Sequence, residues 1–233
     1  LRAKTTERAS LSGRYGDSHP TIVRLDREIA AVRQSIDEEI DTLIFQKAVD
    51  QIAGLADQGL ELPKLSFNVT ANRIQDPQVY EAVRPHLGKG PKIAFEVLES
   101  VLVEEQSDLF TFNLDRLREA GVLIEIDDFG SGHASIVGLL HLKPDAMKID
   151  QRLIKPLPRC QMTQGLVRNI IGMADLLDLE VIAEGVETLE HADLLAELGC
   201  DTLQGYAFCR PMPIGELRSF MASWTARTAA KAG

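Results

Sequence analysis

Two adjacent carboxylates, Asp127 and Asp128, follow an apolar, mostly β-forming run and precede the turn Phe129-Gly130-Ser131-Gly132. A strand, then acids, then a glycine turn is how an α/β protein presents charge at the carboxyl end of a parallel strand. Neighbouring strand side chains point to opposite sides, so two acids serving one site imply that the strand ends there. Carboxylates crowded together are costly unless protonated or paired with a cation. Other short apolar segments end in the same manner, at Asn68, Glu96, Lys148, Glu184 and Gln204. Brought to one face, these acids, amide oxygens and lysine make a hard-oxygen site for Mg²⁺, Mn²⁺ or Ca²⁺. A pair of divalent ions about 3.5–4 Å apart, bridged by a carboxylate, is suited to in-line phosphodiester hydrolysis. Asp127, with acids from several strands around it, is the natural bridge. Lys148 is placed either to orient the attacking water or to stabilise charge developing on phosphate.

The elements that must position these groups follow from local pattern. Strands are expected over 65–69, 92–97, 122–127, 145–149, 180–184 and 201–205. Helices are expected over 79–87, 109–120, 133–140, 163–177, 189–198 and 214–223. Such alternation implies a parallel sheet with right-handed crossovers. Six strands, plus an N-terminal region that could hold one or two more, favour a TIM-like barrel over an open doubly wound sheet. In a barrel the strand ends converge on one face, where active sites sit. Upstream, Ile22, Leu25, Ile29, Val32, Ile36 and Ile40 recur at spacings of three and four, an amphipathic helix over 21–39. A second helical stretch covers 41–59. The tail, 224–233, reads as flexible.

Composition narrows the function. The 233 residues carry a net charge of −10, which argues against non-specific nucleic-acid binding. An anionic substrate then needs metal ions or local basic groups to offset that field. Cys160, Cys200 and Cys209 lack metal-ligand spacing and fit a reduced, cytoplasmic setting. No apolar run approaches the roughly 20 residues that span a bilayer. The chain begins without Met, so it reads as a segment of a longer protein. Gly130 and Gly132 lack the third glycine of a dinucleotide fingerprint. A Schiff-base role for Lys148 is disfavoured, because four acids around it suit metals better.

The segments FEVLES (95–100), IDDFGSGHAS (126–135), LKPDAMKID (142–150), VIAEGVET (181–188) and GCDTLQGYAFCRPMP (199–213) strongly resemble the EAL domain of cyclic di-GMP phosphodiesterases. SFNVT (66–70) matches that family's asparagine strand, and the likeness runs over about 40–220. The resemblance implies a TIM-like (β/α)8 barrel with one antiparallel strand, often dimeric, using two Mg²⁺ or Mn²⁺ to open cyclic di-GMP to linear pGpG. It assigns Asn68, Glu96 and Asp127 to the first metal, and Asp127, Asp128 and Glu184 to the second. Lys148 matches the lysine that contacts the attacking water, and Gln204 the glutamine of the site. Glu99 and Glu187 match acids behind the ligands, the former steadying the loop after Asp128. Pro211 matches the segment that borders the bound guanine.

One departure bears on activity. The family's Glu-Ala-Leu triplet, whose glutamate holds the first metal, is absent. Family spacing back from Asn68 puts its position at Ser10, with Arg14 matching the arginine that contacts substrate phosphate. A register shift would offer Glu7 instead. Residues 13–40 also resemble the coiled-coil segment of polysaccharide chain-length regulators, so 1–40 is either the start of the barrel or a separate helix, with 41–223 the barrel proper. Two readings follow: a cyclic di-GMP phosphodiesterase with reduced activity, or a degenerate EAL domain that binds the dinucleotide as a receptor. An N-terminal sensory, GGDEF or membrane-anchored domain outside this chain is an expected partner.

Overall fold

The alternation along the strand Leu123–Phe129 sets the frame. Ile124 and Ile126 are completely buried on the outer face, against the side where the helix Asp108–Glu119 packs, while Glu125 and Asp127 turn inward. The computed structural model describes residues 1–12, 16–57, 59–103, 107–132 and 135–232. It divides into two units, Leu1–Gln51 and Ile52–Gly233.

The first unit is helical. Helix α1 (Arg2–Ser12) returns along α2 (Pro20–Ala56), whose end extends beyond this unit. Lys4 pairs with Glu28, and Arg8 Nε lies 2.8 Å from Asp26 Oδ1, which fixes an antiparallel hairpin. Ile22, Leu25 and Ile29 are buried, as the apolar stripe predicts, whereas Ile36 is 39% exposed. The side chain of Ile40 lies outside those described. The two helical stretches expected on either side of residue 40 are one continuous helix, because no proline or glycine interrupts the run before Gly54. Residues 2–12, where a strand had room to form, are helical. Their Ala, Arg, Lys, Glu and Leu favour helix and show no two-residue alternation.

The second unit alternates strand and helix: β1 (Lys64–Asn68), α3 (Ala71–Ile74), α4 (Pro77–Val83), β2 (Lys92–Leu98), α5 (Asp108–Glu119), β3 (Leu123–Phe129) and α6 (Ile136–Leu142). There follow β4 (Ala146–Ile149), α7 (Gln151–Ile154), α8 (Gln161–Leu176), β5 (Glu180–Ala183), α9 (Leu189–Leu198), β6 (Thr202–Leu203) and α10 (Ile214–Ala232). Local chemistry sets several boundaries. Ser107 and Thr188 accept backbone N–H bonds as N-caps of α5 and α9, and Gly199, at φ 93°, ends α9. The start expected at 133 for α6 lies outside the described residues; the helix begins at Ile136, capped by Ser135. Helix α10 continues through the segment read as a flexible tail.

The strands form a curled sheet in the order β1-β2-β3-β4-β5-β6, a TIM-like half-barrel. Among the described residues all its pairings are parallel, and the antiparallel strand implied by the resemblance is not present. Register pairs Asn68 with Glu96, and Glu96 with Glu125. Strand tilt in a barrel staggers these rows, and so lifts Glu96 to the level of Asp127. Among the described residues, no helix is long and apolar enough to cross a membrane.

Candidate functional site

The carboxyl ends of β2 to β5 carry the chemistry. Lys148, on β4 and only 4% exposed, reaches three acids with its ammonium. Its Nζ lies 2.6 Å from Glu184 Oε1, 3.0 Å from Glu96 Oε2 and 3.1 Å from Asp127 Oδ1. Burial alone would lower the lysine's pKa. The hydrogen bond it donates to Glu184 and the charge of Glu96 outweigh it, so the ammonium titrates above its ordinary range. Glu96 is pushed up by burial, aided by Asp127 and Glu125 and opposed by Lys148.

The two adjacent acids reach one site by a bulge. The strand does not end at Asp127; it runs on to Phe129, and its register shifts between Ile126 and Phe129. Asp128 sits at φ 56°, a left-handed conformation that aspartate tolerates. Its side chain therefore escapes the alternation that would send it to the other face. One carboxylate oxygen from each of Asp127, Asp128 and Glu184 lies within 4.8 Å of the others. Burial, then the charges of Asp127 and Asp150, raise the pKa of Asp128. Three anionic oxygens at this separation fit a hard divalent cation.

Glu99, 1% exposed, buttresses the loop that follows. Its carboxylate accepts the Gly130 N–H at 3.3 Å, the Ser131 N–H at 3.0 Å and the Ser131 hydroxyl at 2.6 Å. Helix α6 packs against the 99–102 segment that carries Glu99: a Cβ at Gly138 would stand 2.1 Å from the Leu102 carbonyl oxygen.

The remaining candidates spread more widely. Asn68 is exposed at the end of β1, beside Glu96 in register, and Gln204 is exposed just beyond β6. The backbone of Gln204 ties β6 to its neighbour, through Ala183 O at 2.8 Å and Val186 N at 3.1 Å. Glu187 is exposed and pairs with Lys155 at 3.3 Å. Pro211 is exposed, next to Arg210, whose guanidinium stands 4.5 Å over the Tyr206 ring. Ser10 and Glu7 are exposed on α1, in the other unit. Arg14 lies outside the described residues.

Two features escaped the sequence reading. Glu125, 1% exposed, accepts from Lys64 Nζ at 2.5 Å and from the Ser66 hydroxyl at 3.3 Å, one step below Asp127 on the same face. Its two-residue spacing from Asp127 was the available signal. Arg152 clasps Asp150, with Nε at 2.9 Å and Nη2 at 2.5 Å from Oδ2, while its own side chain stays 66% exposed. A cavity of about 590 Å³ under α5 and α6, lined by Val101, Phe110, Leu114, Arg118 and Leu142, shares no lining residue with the acid cluster.

The family model described as EAL domain matches residues 4–211. The chain is 33% identical over 213 residues to the cyclic di-GMP phosphodiesterase NbdA of Pseudomonas aeruginosa, covering 88% of this chain and 27% of that protein. It is 30% identical over 190 residues to the oxygen sensor protein DosP of Escherichia coli, covering 80% of this chain and 24% of that protein. The chain thus spans about a quarter of the length of these curated relatives. Among solved structures, the PaMucR phosphodiesterase in complex with c-di-GMP superposes with a TM-score of 0.71 at 30% identity, over 81% of this chain and 77% of that one. BlrP1 of Klebsiella pneumoniae, in a manganese/cy-diGMP complex, gives a TM-score of 0.65 at 29% identity, over 78% of this chain and 46% of that one.

Proposed function

The chain belongs to the EAL domain family, and on that premise we propose that it binds cyclic di-GMP and hydrolyses it to linear pGpG, slowly, with Mg²⁺ or Mn²⁺. The observation that carries this reading is the convergence of Asp127, Asp128 and Glu184 within 4.8 Å, beside the buried ammonium of Lys148. In this reading those acids hold a divalent cation, which when bound supplies a water of lowered pKa and neutralises charge on the phosphate. Lys148 steadies Asp127 and Glu184 and offers its protons to the attacking water. Glu99 fixes the loop after Asp128. Asn68 and Gln204 line the mouth and the segment around Pro211 borders the base, while the family resemblance assigns phosphate contact to Arg14.

The expected result is pGpG release from cyclic di-GMP that requires Mn²⁺ and vanishes in Asp127→Ala. No turnover with Mn²⁺ in excess removes the hydrolytic reading. A second reading, a receptor that binds without cleavage, is supported by Ser10: family spacing puts the metal-binding glutamate's position there, and this chain has a serine exposed on a helix. Calorimetry showing binding without hydrolysis selects it, and no binding with or without metal excludes both.

The working form in this proposal is a cytoplasmic homodimer. Phe112 on α5 and Ile136, Val137 and Leu140 on α6 are 51–63% exposed, an apolar surface suited to a second copy. Sedimentation at micromolar concentration tests it; a monomer throughout rejects it.

A further inference from the structure

We propose that the cavity between α5 and α6 is a second ligand site, separate from the acid cluster, and that it takes an aliphatic monocarboxylate.

The cavity, of about 590 Å³, lies in the size range of pockets that bury small molecules. Leu102, Phe110, Leu114 and Leu142, each 7% exposed or less, give it an apolar floor. Its two ends differ in chemistry. At one end Leu102 packs against Gly138. At the other, one turn further along α6, Arg118 donates to the carbonyl oxygens of Leu142 and Lys143. An apolar end and a basic end suit a ligand with a hydrocarbon body and an anionic head. Along α5 the lining runs from Phe110 to Arg118, about 12 Å at the rise of a helix. A zigzag chain of about ten carbons covers that length.

Arg118 is short of partners. Its Nε is shut off from solvent and has no hydrogen-bond partner among the described residues. A buried donor left unpaired is costly, and in folded proteins most have an acceptor. Asp115 stands 3.5 Å from Arg118 Nη1, but its own side chain is 61% exposed, where water weakens the pair. Burial lowers the pKa of Arg118 by more than the charges of Asp115 and Asp145 raise it, so the cation is under-compensated where it stands. A carboxylate brought in along the apolar floor supplies both an acceptor and the missing charge.

The probe is decanoate, kept below the concentration at which it forms micelles and titrated into the chain by calorimetry. One decanoate per chain is expected. Decyltrimethylammonium, with the same tail and the opposite charge, should not bind. Arg118→Met should weaken decanoate by roughly tenfold, the scale of a hydrogen bond to a charged group. Thr111→Trp, at an exposed rim position that leaves the floor intact, should block the cavity while melting as wild type does. No binding of decanoate overturns the proposal, as do equal affinities for the two head groups. An Arg118→Met variant that folds and binds as tightly as wild type also overturns it, and so does binding that Thr111→Trp leaves unchanged. Binding that disappears as protein concentration rises would assign the cavity to a second copy of the chain and overturn it as well. None of these readouts involves cyclic di-GMP or metal, so the phosphodiesterase reading stands or falls separately.

Discussion

Glu125 and Lys64 form an ion pair at 2.5 Å across the inner face of the sheet, one layer beneath the acids of the site. The carboxylate is 1% exposed and faces Glu96 in register, so it depends on the lysine for its charge partner. Removing one member of a buried pair is worse than removing both, since the survivor keeps its desolvation cost. Lys64→Met should therefore destabilise the fold by about 3 kcal/mol. The double variant Lys64→Met/Glu125→Leu should recover most of that loss. Urea unfolding of wild type, Lys64→Met and the double variant checks it; a double variant no more stable than Lys64→Met would contradict it.

How far the sequence reached depends on the range of each interaction. Asp127, Lys148 and Glu184 could be placed at strand ends because alternation and turn residues are local signals. That Lys148 touches three acids at once required the stagger between strands, which no local pattern encodes. The partner of Glu125 lies 61 residues away in sequence. The same limit hid the bulge: Asp-Asp-Phe-Gly reads as a strand giving way to a turn, yet the strand runs on to Phe129 with Asp128 in a left-handed conformation. Family spacing placed Ser10 where a strand should run, but the composition of residues 2–12 makes helix.

Asp128 couples stability and binding in opposite directions. Burial and the charges of Asp127 and Asp150 raise its pKa, so its negative form is a cost when no cation is bound. Asp128→Asn removes the charge and retains a residue that accepts φ 56°. The metal-free variant should melt at a higher temperature than wild type, and its affinity for Mn²⁺ should fall. Asp128→Ala should lose ~1 kcal/mol relative to the Asn variant, because alanine resists the left-handed conformation. Calorimetric melting with and without Mn²⁺ separates these effects. An Asn variant less stable than wild type in EDTA would refute the account.

Glu99 acts through the loop rather than on the ligand. Its three accepted bonds hold Gly130 and Ser131, two and three residues after Asp128. Glu99→Gln replaces one acceptor oxygen with an amide donor, setting it against an N–H or hydroxyl in a buried position. Groups that orient a metal's ligands commonly account for about 10–100-fold in affinity. Mn²⁺ affinity in Glu99→Gln should drop by roughly that factor with the ion count unchanged. An unaltered isotherm would show that the loop holds Asp128 without Glu99.

Acid sensitivity should trace in part to Asp150. Its carboxylate, 4% exposed, accepts from the Arg152 backbone N–H at 2.7 Å and is clasped by the guanidinium. The side-chain bond to Arg152 leads the causes that hold its pKa below the ordinary carboxylate range. A depressed carboxylate stabilises the fold above its unfolded pKa, near 3.8, and that contribution is lost as pH falls through the lower folded value. At pH 7, Asp150→Asn should be less stable than wild type by about 1–2 kcal/mol, the scale of a charge-assisted bond whose arginine faces water. As pH drops below the carboxylate range the two proteins should converge, because wild type then loses the same contribution. Urea midpoints at pH 7 and pH 3 measure the difference, and a gap that stays constant between them would mean that the Asp150–Arg152 charge is not what the fold draws on.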